Sequence, residues 1–71
     1  MDPYEELANA IVLQAVKDYR EALKMLVQHS YNKKARGVRE DVERFFSSEW
    51  FSTLTEIDPE MLIEKLNAEV A

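Results

Sequence analysis

Apolar residues recur at Tyr4, Leu7, Ala8, Ile11, Val12, Ala15, Tyr19, Ala22, Leu23, Leu26 and Val27. Steps of three and four are the period of a helix, not of a strand. Asp2 suits an N-cap, Pro3 the first helical position and Glu5 the third position of a capping box, so the pattern predicts a helix over about 3–29. Ser30, Tyr31 and Asn32 form a polar break in which Asn32 can cap a second helix over about 33–46, with Ala35, Val38, Val42, Phe45 and Phe46 on one face. Gly37, the single glycine, falls inside that helix and costs about 1 kcal/mol relative to alanine, unless it marks a kink or a later start. Asp58 and Pro59 repeat the opening device for a last helix over about 59–70. Its stripe is Leu62, Ile63, Leu66 and Val70, and Ile57 precedes the cap where it can staple onto Leu62.

Phe45, Phe46, Trp50 and Phe51 crowd into ERFFSSEWFSTL, residues 43–54. In one continuous helix Phe46, Trp50 and Leu54 would stack, whereas Phe51 would lie about 140° around the axis from Phe46. One helix cannot bury all four. Serine competes for backbone hydrogen bonds and favours caps, so Ser47 and Ser48 are expected to end one helix and start a short one over about 48–54. Phe45, Phe46 and Phe51 then belong to the core, and Trp50, whose indole N–H wants a partner, is expected near the surface. The chain reads as a single all-α domain over 1–71, a small bundle of three main helices plus one short helix.

Within the first helix Ala8, Ala15 and Ala22 repeat at heptad spacing, with Val12, Tyr19 and Leu26 four residues after each alanine. Small residues at one heptad position let another helix come close. That partner can lie in the same chain, or in a second copy that makes a homodimer through the first helix.

Seventy-one residues without cysteine leave no disulfide or thiolate metal site to reinforce a small core, so stability must come from helix packing or association. The longest near-apolar run, Ala8–Val16, is broken by Asn9 and Gln14 and lacks the charged flank of a signal peptide, so no membrane span is expected. A net charge of −5 argues against a general affinity for phosphate backbones. The bases cluster in NKKARGVRE, where Lys33, Lys34, Arg36 and Arg39 can meet an acidic protein or, with Tyr31 stacking, a nucleic acid. Ion pairs four residues apart, Arg36–Glu40, Arg39–Glu43 and Glu40–Arg44, are expected to match much of that charge locally. The acidic C-terminal third could in turn imitate nucleic-acid phosphates, although its spacing is that of an ordinary solvated helix face.

Little in the chain can be assembled into a catalytic set. His29 is the only histidine and falls at a helix end, where a cation is favoured in any case, and no serine or threonine shows a spacing that would pair with it. Glu56, Asp58 and Glu60 alternate like calcium-loop ligands, but the glycine and the distal glutamate of such a loop are missing and Asp58 is better read as an N-cap. No enzyme activity, metal or cofactor is expected.

Residues 43–66 (ERFFSSEWFSTLTEIDPEMLIEKL), with AIVLQAVKDYREALK at 10–24 and the intervening NKKA, resemble a family of small proteins encoded by phages and prophages of Gram-positive bacteria. The matching positions are Asp18, Tyr19, Arg20, Ala22, Leu23 and Asn32, then Phe45, Phe46, Ser48, Trp50, Phe51, Leu54, Thr55, Asp58, Leu62, Ile63 and Leu66. Pro59 and Ser47 depart from the glycine and the base common in relatives. The resemblance implies a small protein of the host bacterial cytoplasm that binds and modulates or inhibits a host or defence protein, or serves as an accessory factor beside replication and transcription. Its expected contacts are the exposed charges Lys33, Lys34, Arg36 and Arg39 and the aromatic Trp50.

Overall fold

A computed structural model describes residues 2–70; Met1 and Ala71, the ends of the expected 1–71 domain, lie outside the described residues. The elements are α1 (Pro3–Gln28), α2 (Lys33–Phe46), α3 (Glu49–Leu54) and α4 (Pro59–Ala68), and no strand occurs among the described residues. The protein is a small all-α bundle. α1 alone spans about 39 Å at the helical rise per residue, which accounts for the 41 Å long axis of a molecule only 20 Å across.

Each helix starts where its cap stands. Asp2 accepts the Tyr4 N–H at 2.9 Å, one position earlier than a capping box places it. Asn32 accepts the Ala35 N–H at 3.0 Å, and Asp58 accepts the Glu60 N–H at 2.9 Å. α1 ends one residue before the expected 29, at a C-cap formed by His29, whose N–H returns to the Met25 carbonyl at 2.8 Å. α4 stops at Ala68 instead of 70, and Val70 packs back against the core from the turn that follows.

At the aromatic stretch the two serines divide the labour. α2 ends at Phe46 with Ser47 as C-cap, and Ser48 both donates its hydroxyl to the Phe45 carbonyl at 2.6 Å and accepts the Phe51 N–H at 3.2 Å. One side chain thus closes α2 and opens α3, and the change of direction brings Phe46 and Phe51 onto one core from helices that do not share a face. Their ring centroids are 5.3 Å apart, and Tyr19 meets Phe46 at 5.8 Å, both in edge-to-face geometry. Around them pack Val12, Val16, Leu23, Val42 and Leu66.

α1 packs chiefly on α2, and α3 and α4 lean on α1. Val12, Tyr19 and Ala22 of the small-residue column are therefore buried within the chain, with Ala15 and Leu26 half-buried. For this stretch the partner helix lies in the same chain. Ala8, at the start of the column, is left beyond it.

Gly37 neither kinks nor delays α2, which runs unbroken from Lys33 without positive φ. A Cβ placed there meets nothing within 4 Å. Gly37→Ala is accordingly expected to stabilise the fold by about 1 kcal/mol, read as a higher urea midpoint at unchanged slope; an unchanged midpoint would show that the backbone entropy is already restricted in the unfolded chain.

Candidate functional site

Three features stand out: the basic start of α2, a partly buried polar contact among α1, α2 and α4, and a groove with apolar side chains at the N-terminal end of α1. Lys33, Lys34 and Arg36 are exposed, as is Tyr31 on the turn before them. None of the three expected ion pairs forms among the described residues. Arg44 turns instead to Asp41 at 3.3 Å, and Arg36 and the two lysines have no acidic partner within salt-bridge distance. Arg39 does not belong to this exposed set. It is half-buried, and its Nε is enclosed without a hydrogen-bond partner, so only part of its side chain lies open to a partner.

Glu43, expected to pair with Arg39, instead accepts the Tyr19 hydroxyl at 2.7 Å, and Asn67 Nδ2 donates to the same hydroxyl at 3.0 Å and to the Ile63 carbonyl at 2.8 Å. Three helices are joined at one phenol. Burial pushes the Tyr19 phenol above its ordinary value, and the Glu43 carboxylate adds to the rise because ionisation would cost that hydrogen bond and set two negative charges together. The Asn67 donor and the Arg39 charge oppose it. A phenol held protonated and fully enclosed is a pin between helices and a poor proton acceptor. The sequence carried one sign of it: a tyrosine at an otherwise apolar position of the heptad column.

Near by, Arg20 grips Glu69 with two hydrogen bonds of 2.9 Å, fastening the end of α4 to α1. The pairing holds the Glu69 carboxyl below its usual range, so this contact is complete above ordinary carboxylate pKa values and weakens as pH falls through the depressed one.

The third feature was invisible in the sequence as a unit. The first turns of α1 face the short α3 and the segment that follows it. Between the two runs an open groove of about 940 Å³ lined by Tyr4, Leu7, Ala8 and Ile11 on one wall and by Trp50, Leu54, Thr55 and Ile57 on the other. Tyr4 is 82% exposed, Leu7 60%, Trp50 57% and Ile57 49%. Trp50 rests its ring edge-to-face on half-buried Phe45 at 5.6 Å and turns the rest outward. Ile57, just before the Asp58 cap, lines the groove and is about half exposed. Ala8, left over from the small-residue column, lies in the groove wall.

No group of three or more His, Asp or Glu side chains is placed to hold a metal among the described residues. Of the acids that resemble calcium ligands, Asp58 spends its carboxylate on the Glu60 and Met61 N–H groups. No helix among the described residues is long and apolar enough to cross a membrane. Comparison with known proteins gives no match to a family model, a curated protein or a solved structure.

Proposed function

We propose that this protein works by binding another protein, as a phage-type modulator or inhibitor of a bacterial host or defence protein, and performs no chemistry of its own. The observation that carries the reading is the groove. In a chain this small, large apolar side chains are needed inside, yet Tyr4, Leu7, Trp50 and Ile57 stand exposed around one concavity. Aromatic residues that a partner can desolvate fully are the side chains on which protein interfaces most depend, and Trp50 is already steadied on one side by Phe45. The likeness of residues 10–24 and 43–66 to small phage and prophage proteins supports the bacterial setting.

A photo-crosslinking amino acid at position 50, in a protein expressed in a Gram-positive host, tests this. A single discrete protein adduct is expected from position 50 and none from position 31, which is more exposed (89% against 57%) but lies outside the groove. Identical or absent adducts at the two positions would count decisively against it.

A second reading, contact with nucleic acid, is favoured by one observation: Lys33, Lys34 and Arg36 are exposed and free of the ion pairs that were expected to neutralise them. It requires a mobility shift of DNA or RNA at low salt that fades as salt rises, and no shift at low salt would exclude it.

A further inference from the structure

We infer that the groove between α1 and α3 receives a cationic amphipathic helix of the partner protein. The inference rests on the protein-binding reading above and names the chemistry of what is bound.

The shape points to a helix. One wall is the first turns of α1 and the other is α3 with the connection that follows it, and among the described residues there is no strand whose edge an extended peptide could join. An amphipathic helix lays apolar anchors at i, i+3 or i+4, and i+7 into such a groove. Tyr4 to Ile11 rises about 10.5 Å along α1, which matches the span of those anchors. Leu7, Trp50 and Ile57 supply the apolar contacts for them.

The charge selects the sign. Glu5 and Glu56 line the groove, and no lysine or arginine does. The segments that build it extend the same field: Asp2, Glu6, Glu49 and Asp58 are exposed on them, the first base after the N-terminus is Lys17, and none occurs from Phe45 to Glu64. Arg44, the base preceding α3, is engaged by Asp41. Acids in the first turns of α1, α3 and α4 are expected from the helix dipoles. Glu56 is not so explained: it lies in the connection between α3 and α4, is exposed, and forms no ion pair among the described residues.

An apolar floor with an acidic rim is complementary to a helix that carries leucine-like anchors between lysines or arginines. It repels a phosphate backbone. It also disfavours a symmetric second copy, since groove against groove would set one acidic rim against another.

Trp50 is the only tryptophan in the chain and therefore reports occupancy directly. The probe is a tryptophan-free helical peptide of about five turns, roughly 18 residues, with leucine at the anchor positions and lysine elsewhere. It is compared with the same leucine face on glutamate and with a scrambled leucine–lysine sequence. The lysine helix is expected to shift Trp50 emission to the blue and to bind about tenfold or more tighter than either control, a difference of about 1.4 kcal/mol. Leu7→Lys should abolish the shift, and Glu5→Lys/Glu56→Lys should transfer the preference to the glutamate helix. Glu21→Lys/Glu40→Lys changes the net charge equally but away from the groove and should leave affinity within about twofold. All these positions are exposed, and far-UV circular dichroism verifies that each variant is folded.

Equal binding of the glutamate or scrambled peptide, equal losses from the two double reversals, or no blue shift would overturn the inference. So would a concentration-dependent dimer in sedimentation that Leu7→Lys dissolves, which would give the groove to a second copy. If the position-50 crosslink still captures one protein while the lysine helix fails, the binding reading stands and the cationic partner falls. If both fail, both fall.

Discussion

Phe46→Ala will cost about 3–5 kcal/mol, a large share of the roughly 4–11 kcal/mol that a domain of 71 residues is expected to possess at about 0.05–0.15 kcal/mol per residue. The ring is fully buried and stands where the other aromatics meet, with Tyr19 at 5.8 Å, Phe45 at 6.0 Å and Phe51 at 5.3 Å. Its position in the chain adds to the effect. Phe46 is the last residue of α2, directly before the serine pair that redirects the backbone, so a cavity there loosens the anchoring of α3 as well as the contact between α1 and α2. With so little core around it, the site has few neighbours able to collapse into the space. Urea unfolding followed by circular dichroism should show a population already partly unfolded without denaturant. Trp50→Ala, four residues away and largely exposed, should shift the midpoint only slightly. Similar losses from the two variants would refute the division of this cluster into a buried half and a surface half.

Tyr19→Phe should be the next most costly change, at about 1–3 kcal/mol. It removes one hydroxyl and leaves the half-buried Glu43 carboxylate without the donor at 2.7 Å, while Asn67 keeps only the Ile63 carbonyl. The loss should depend on pH in a defined direction. Burial first, then the bond to Glu43, raises the Tyr19 phenol above its ordinary value of 10.0 in the folded protein. The unfolded chain therefore releases this proton at lower pH than the native state does. Wherever the unfolded state binds fewer protons, stability falls as pH rises. The contribution of Tyr19 is fully present below pH 10.0 and is lost as pH climbs through the higher native value. The stability gap between wild type and Tyr19→Phe should accordingly be constant near neutrality and narrow in alkaline solution. A gap that stays constant into strong alkali would mean that neither burial nor Glu43 holds the phenol protonated.

The phage-type reading and the groove reading meet at Trp50 from different directions. The former rests on the likeness of residues 10–24 and 43–66, Trp50 among them. The latter needs Trp50 only as an exposed ring steadied by Phe45 at 5.6 Å. Leu7→Lys and the photo-crosslink at position 50 probe the second without relying on the first.

The sequence by itself determined what is decided within one or two helical turns. Asp2, Asn32, Ser48 and Asp58 each cap a helix with their own side chain, because the orphan N–H groups of a first turn lie within reach of the residue just before it. The period of apolar positions chose helix over strand, and the geometry of one helix already forbade Phe46 and Phe51 from sharing a face. Tertiary structure decided which of several chemically equivalent partners each side chain took. Glu43 had Arg39 four residues behind it and chose Tyr19 across the interface between α1 and α2. The Nε of Arg39 was enclosed and the bases before it were left without ion pairs. The alanine column was divided between a packed seam and an open wall. Above all, the groove exists only because α3 lies beside the start of α1. Its two walls are some forty residues apart in the chain, a separation over which neither helix period nor capping carries information, so only the way the helices pack could bring Leu7 and Trp50 to the same concavity.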